Sequence, residues 1–267
     1  MSYTNYNMDT SVNGGLRNKI LLAPGARMDS LFTPTSGQKH ALGRIMEADD
    51  GTGRMWRYCK NGSTALVQSY LVSSEAPSAN GLEIVQTGYT MSVGDIRFDM
   101  LLTTGNNYSD HELADGWLYV NKVATILGDQ YLIKDNWWKT SDTVMTVEIA
   151  DQAGIRHAIA ATHELSVVKS PCRDVVVTPT TQAAIIVGVP NVAVTANYYF
   201  WAQYKGPCTV IVDTGETIVI GEPCGYPATP NVAGAIGPIG ADTDTYIGNA
   251  MTVGAAAEPS LVMLDIA

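Results

Sequence analysis

The feature that most limits what this chain can fold into is its punctuation. Apolar segments rich in β-branched and aromatic residues, such as MWRYCK, WLYVNKV, TVMTVEI, DVVVT and AAIIVGV, are short, and those between 82 and 149 are bounded by Gly, Asp or Asn. They recur at intervals of roughly 8–12 residues, the spacing of strands in a sandwich or barrel. No strand–helix–strand alternation and no heptad interrupts the series. The reading is an all-β, antiparallel sandwich or barrel-like fold with little helix. Strands are expected at 82–86, 96–102, 117–124, 131–134, 143–149 and 261–266. Two turns are expected to close hairpins, Asn61-Gly62 within RMWRYCKNGSTALV and Thr214-Gly215 within TVIVDTGETIVI. Asn-Gly suits the two positive-φ positions of a type I′ turn.

The pattern divides the chain in order. Residues 1–45 are loosely patterned, with one compact apolar piece at Ile20, Leu21, Leu22 and Ala23 cut off by Pro24-Gly25. They read either as an N-terminal arm or extended lead-in, or as a buried first strand. Residues 46–150 and 174–267 are expected as two β-rich subdomains joined by a crossover at 151–173. In that crossover Ile155, Ala158 and Ile159 sit at helical spacing behind Asp151, but the stripe lapses at Thr162, so a short helix and a run of turns fit equally. MWRYCKNGSTALV and FWAQYKGPCTVIV share aromatics, a Lys near a Gly, and a β-branched run. Related subdomains and shared hairpin grammar explain this equally.

The densest stretch is NYYFWAQYKGPCTVIV at 197–212, in which the Lys-Gly-Pro reads as a turn. Neighbouring residues on a strand face opposite ways. One face carries Tyr198, Phe200, Ala202 and Tyr204, and the other Tyr199, Trp201 and Gln203. With aromatics on both faces, one side fills the core and the other meets a second layer, either from this chain or from another subunit. Tyr and Trp are enriched at interface anchors, which makes Tyr199, Trp201 and Tyr204 candidate interface residues. Trp137 and Trp138, in KDNWWKTSDT, are further candidates, as an aromatic plug or as a surface on which sugar rings stack.

Charge and chemistry narrow the function classes. The net charge is −10 and the pI about 4.7, so the chain repels a phosphate backbone, and no local Lys/Arg cluster reverses this. Charged residues make up 16% of the chain, a low share that fits surface destined for contact and a Gly/Ala/Thr-rich β protein with short polar loops equally. Cys59, Cys172, Cys208 and Cys224 are too dispersed for a structural zinc site. They are expected as free thiols, although Cys208 and Cys224 flank a hairpin and a pairing between them stays open. His157 and His163 are six apart, which puts two imidazoles on no common helical face, and no metal or cofactor is expected. Of the carboxylate pairs Asp49/Asp50, Asp213/Glu216 and Asp242/Asp244, the second flanks an expected hairpin turn and the third sits in a Gly/Thr loop that fits a bound cation or none equally. No GxSxG, P-loop or dinucleotide fingerprint is present, and no enzyme activity is expected. No basic-then-apolar leader and no membrane-length apolar run occurs, so folding in a reducing cytoplasm is expected.

Taken in order, DGTGRMWRYCKNGSTAL, NYYFWAQYKGPCTVIV and the Gly/Ala-rich close AGAIGPIG…YIGNAMTVGAAAEPSLVMLDI resemble capsid decoration, or cement, proteins of tailed and particularly marine bacteriophages. The resemblance covers residues 40–267 and rests on turn-and-strand grammar rather than on catalytic signatures. It implies a β-rich, non-enzymatic virion protein, commonly a homotrimer, made in the host cytoplasm. Such a protein sits on the outer capsid surface and bridges major capsid protein subunits. The alternative from another class is a tail or fibre component binding host glycans through Trp137, Trp138 and the 242–245 loop.

Overall fold

In the computed structural model the punctuation resolves into strands throughout. Described are residues 19–22, 31–48, 50–103, 108–122, 128–138, 143–181, 183–227, 230–240 and 244–267. Most of the 1–45 arm, Asp49, residues 139–142 and Asp242 lie outside the described residues. The fold is nearly all β, with two antiparallel sheets, one a curled half-barrel. No α-helix occurs among the described residues, and 151–163 is a run of turns.

The chain forms two compact units that are not the linear halves expected. One comprises residues 1–75 and 171–267, and the other, residues 76–170, is inserted into it. The first unit contains β1 (Lys19–Leu22), β2 (Ile45–Ala48), β3 (Met55–Lys60) and β4 (Val72–Ser73) from its leading segment. The inserted unit contains β5 (Ile84–Val85), β6 (Arg97–Leu101), β7 (Trp117–Lys122), β8 (Gln130–Trp138), β9 (Val144–Ile149) and β10 (Glu164–Val168). The first unit resumes with β11 (Val176–Val177), β12 (Ile186–Pro190), β13 (Tyr199–Ile211), β14 (Pro223–Tyr226), β15 (Gly237–Pro238), β16 (Thr245–Ala250) and β17 (Pro259–Asp265).

In the first unit the sheet runs β1-β2-β3-β13-β17-β16-β14-β15, with β12 also on β13 and β4 joining β12 to β11. Strand β13 is its centre. Residues 199–205 pair with β3 and 205–211 with β17. The Lys-Gly-Pro expected as a turn lies inside this strand instead. The strand bulges where it enters this tripeptide, because Gln203 and Lys205 face consecutive β3 residues and leave Tyr204 extra. Gly206 permits it with φ +81°, and a Cβ there would lie 2.9 Å from the Arg54 Cα. The Gln203 amide donates to the Lys205 and Pro207 carbonyls at 3.1 and 2.8 Å, satisfying acceptors inside the kinked segment.

The bulge divides β13 in two. Before it, Phe200, Trp201, Ala202 and Gln203 are all buried, so both faces are covered. Beyond it Cys208 and Val210 stay buried while Lys205 and Thr209 are exposed and Pro207 and Ile211 half-exposed, so only one face is covered. Phe200, Trp201 and Ala202 pack with Trp56, Tyr58, Val72 and Val187 in one apolar core. Tyr204, Cys208 and Val210 join Ile218, Tyr226, Val262 and Leu264 in a second.

Neither expected hairpin forms. Asn61 is fully buried, and its amide donates to the carbonyls of Thr64 and Thr195 at 2.9 and 3.0 Å. Its own N–H donates to Tyr198 O, so the residue anchors the end of β3 rather than turning it back on itself. Thr214-Gly215 does turn, with Gly215 at φ +87°, but the flanking runs part company. Val212 bridges Ile236, and Ile218 bridges Gly254. The Asp213 carboxylate, 1% exposed, holds this corner by accepting the N–H groups of Thr214, Asn231 and Val232, each at 2.8 Å.

The inserted unit is a six-stranded sheet, β5-β10-β7-β8-β9-β6, over a core of Phe98, Met100, Leu118, Ile133, Met145, Val147, Leu165 and Val167. Its strand β10 falls within the segment read as a crossover. The buried Asn136 fixes the neighbouring turn, accepting from Leu113 N at 2.7 Å and donating to Ser109 O at 3.0 Å.

Candidate interaction surfaces

Of the aromatic candidates on β13, two are interior. Trp201 is 4% exposed and Tyr204 8%. The second layer that the two-faced pattern demands comes from this chain, so neither ring forms an exposed surface. Trp201 meets the edge of Tyr58 at 5.0 Å and Tyr204 lies under the Arg57 guanidinium at 4.2 Å. Tyr199 is half-buried and stacks on Tyr58, with centroids 5.9 Å apart and planes 11° from parallel. His40 closes the cluster, 5.1 Å from Tyr58 and 5.4 Å from Trp201. Burial, helped by the charges of Arg44 and Lys39, lowers the His40 pKa below its ordinary value.

The two tryptophans of β8 separate by face. Trp138 packs against the core of the inserted unit. Trp137, paired with Thr146 of β9, lies under the Arg97 guanidinium at 4.5 Å and meets the edge of His111 at 6.1 Å. His111 in turn contacts Asp135 at 2.8 Å. Beside Trp137 is an open depression of about 370 Å³ lined by Arg97, Phe98, Asp99 and Thr146, in which the Thr146 hydroxyl donates to Asp99 at 2.7 Å. A ring, a guanidinium and a carboxylate along a shallow depression are groups suited to a polyhydroxylated ligand.

A third surface was not read from the sequence. Residues 217–222 run antiparallel beside 250–254, tied by Ile218 and Gly254 exchanging N–H and C=O at 3.0 Å and by Gly221 N to Ala250 O at 2.8 Å. Val219, Ile220 and Val253 on this ribbon are 56, 68 and 66% exposed, with Met251 exposed beside them. The adjoining outer face of β13 and β17 adds Pro207, Ile211, Leu261 and the exposed Met263. Alternation within β17, which buries Ser260, Val262 and Leu264, turns Leu261 and Met263 outward. The signal available in the sequence was apolar residues at turn positions, in TIVIGE and MTVGAAAE.

The residues weighed for chemistry hold the fold. His157 contacts Asp129 at 2.8 Å, while the His163 ring accepts the Ala160 N–H at 3.1 Å, so the two serve different turns. Asp213 is the buried loop anchor described above. All four cysteines are buried and free. Burial pushes the Cys208 thiol up to about 12 and the Cys224 thiol to about 11, and lifts Cys59, which lies beside Cys172, well above its usual range. Among the described residues no group of three or more His, Cys, Asp or Glu is placed to hold a metal. Nor is any helix among them long and apolar enough to cross a membrane. No family model, no curated protein and no solved structure matches this chain.

Proposed function

We propose that this chain is a structural protein of a virus particle, decorating and stabilising a bacteriophage capsid by bridging major capsid protein subunits on the outer head surface. The observation that carries the reading is the uncovered apolar surface of the first unit, where Val219, Ile220 and Val253 are each more than half exposed. Contiguous apolar surface of this kind marks an interaction site. The resemblance in strand-and-turn order supplies the class of particle, and the acidic balance suits an outer surface better than a DNA-lined interior. In this reading the chain catalyses nothing, needs no cofactor, and acts after assembly in the host cytoplasm, as a homotrimer. Its work is contact, opposing the pressure of packaged DNA.

The test is the location of the chain in a cryo-EM reconstruction of purified virus particles. Density at three-fold or quasi-three-fold positions on the outer head is expected. Density on the tail, or none on the particle, overturns the reading.

A second reading has its own observation, the depression of the inserted unit lined by Arg97, Phe98, Asp99 and Thr146, whose Arg97 guanidinium lies over the Trp137 ring. It makes the chain a tail or fibre component that binds host-surface glycans. Titration with oligosaccharides while following Trp fluorescence separates the two, because a cement protein gives no saturable response.

A further inference from the structure

The exposed ribbon has a chemistry that specifies its occupant. Its tip is a β-turn at 219–222, in which Glu222 N donates to Val219 O at 3.1 Å and Gly221 takes φ +81°. Such a tip ordinarily carries Asn, Asp, Ser, Pro or Gly. Here the outermost side chain is Ile220, β-branched and 68% exposed. The next turn repeats the anomaly, since Ala255, Ala256 and Ala257 occupy 255–258 and all are exposed. Ala257 holds φ +62° where Gly would be relaxed. Single exposed apolar residues need no explanation, but two adjoining turns with apolar tips and Val253 between them form one continuous surface.

Its margin is acidic. Glu222 is held at the edge by accepting the Val219 N–H at 3.0 Å, Glu258 closes the second turn, and Glu216 precedes the ribbon. None of the three has a cationic partner among the described residues. A second copy of a chain of net charge −10 would set these carboxylates against their own kind. A partner bringing cations would match them, because interfaces favour opposed potentials.

We propose that residues 217–222 and 250–258 form a docking surface for a protein partner whose contact patch has an apolar centre and a Lys/Arg rim. The inference rests on the capsid-contact reading and assigns the chemistry of that contact. The partner's apolar side chains cover Ile220, Val219 and Val253, and its cations meet Glu216, Glu222 and Glu258.

The experiment measures co-sedimentation of the full chain with shells of the virus that carries it, stripped of their own copies. The variants are I220D/V253D, E216K/E258K and, in the other unit, V93D at a residue 65% exposed. Circular dichroism and the denaturation midpoint establish that each is folded, and I220S/V253S replaces the aspartates if that pair is not. Wild type and V93D are expected to bind alike. I220D/V253D should bind about 100-fold more weakly or not at all. E216K/E258K should bind at least about 10-fold more weakly at low salt, with a shallower salt dependence than wild type. Wild type that ignores the shells overturns the capsid reading and this inference with it. Wild type that binds, with I220D/V253D equally tight, overturns the inference alone. A wild type that self-associates through the ribbon, with I220D/V253D monomeric, makes a second copy the occupant and overturns it as well.

Discussion

The first half of β13 and the ribbon at 217–222 and 250–254 are both apolar, yet they meet opposite fates. In β13 the large rings of Trp201 and Tyr204 are interior, although Trp and Tyr are the residue types that interfaces favour. In the ribbon, the smaller Val219 and Ile220, in a turn where polar residues are the rule, and Val253 beside them stand in solvent. Residue type therefore misleads in both places. What separates them is the number of layers each can reach. The centre of a sheet in this unit has β3 on one edge, β12 and β17 on the other, and cores over both faces. The turn tip at 219–222 is covered by no second layer among the described residues.

That contrast breaks most visibly in a pair of substitutions. Trp201→Ala should destabilise the first unit by about 3–5 kcal/mol, as removal of a buried indole does, whereas Ile220→Ser should move stability by no more than about 0.5 kcal/mol. Urea denaturation followed by far-UV circular dichroism measures both. A costly Ile220→Ser would mean that the ribbon is core after all.

The next largest effect is at the corner between the two regions. Asp213→Ala removes the buried acceptor of three backbone N–H groups in a part-buried loop and leaves them without that partner. A loss of about 3 kcal/mol is expected, read as a lowered denaturation midpoint. Faster hydrogen exchange at Asn231 and Val232 would localise the loss to the loop, and unchanged exchange there would contradict the anchoring role.

Ala257→Gly runs in the other direction. It relieves a positive φ at the second apolar turn and should stabilise the chain by under about 1 kcal/mol. A calorimetric midpoint that falls instead would show that the turn is not strained.

The smallest effect concerns His40, against the aromatic cluster. Its pKa is lowered by burial and by Arg44 and Lys39, so the unfolded chain binds this proton more readily than the folded one. Stability from this group is complete above the ordinary value of 6.5 and declines as pH falls through it toward the folded value. Denaturation midpoints measured between about pH 8 and pH 5 should fall less in His40→Gln than in wild type. Equal slopes would remove His40 from the account.

Where strands form was legible from local signals. The expected segments at 96–102, 117–124 and 143–149 correspond to β6, β7 and β9 within a few residues, because alternation and flanking Gly or Asp act over short range. The crossover reading missed β10, since ELSVV follows a weak helical stripe and has only five residues to declare itself. Asn61-Gly62 carried a strong hairpin signal and lost to tertiary demand, because the Asn61 amide is worth more buried against carbonyls of 64 and 195 than at a turn tip. Among the candidate contacts, the apolar ribbon lay in segments read as hairpin and tail.

The sequence by itself determined that this protein is β throughout, where several of its strands lie, that it is acidic, and that β13 is covered on both faces in its aromatic half. Only the tertiary structure decided who does the covering. It also decided that residues 76–170 form a unit of their own, inserted in the sequence of the other, and that the Lys-Gly-Pro continues a strand instead of ending it. The reason is range. Side-chain alternation and turn chemistry are properties of a few neighbouring residues, whereas strand order and the identity of a second layer depend on segments more than a hundred residues apart, such as β3 and β13.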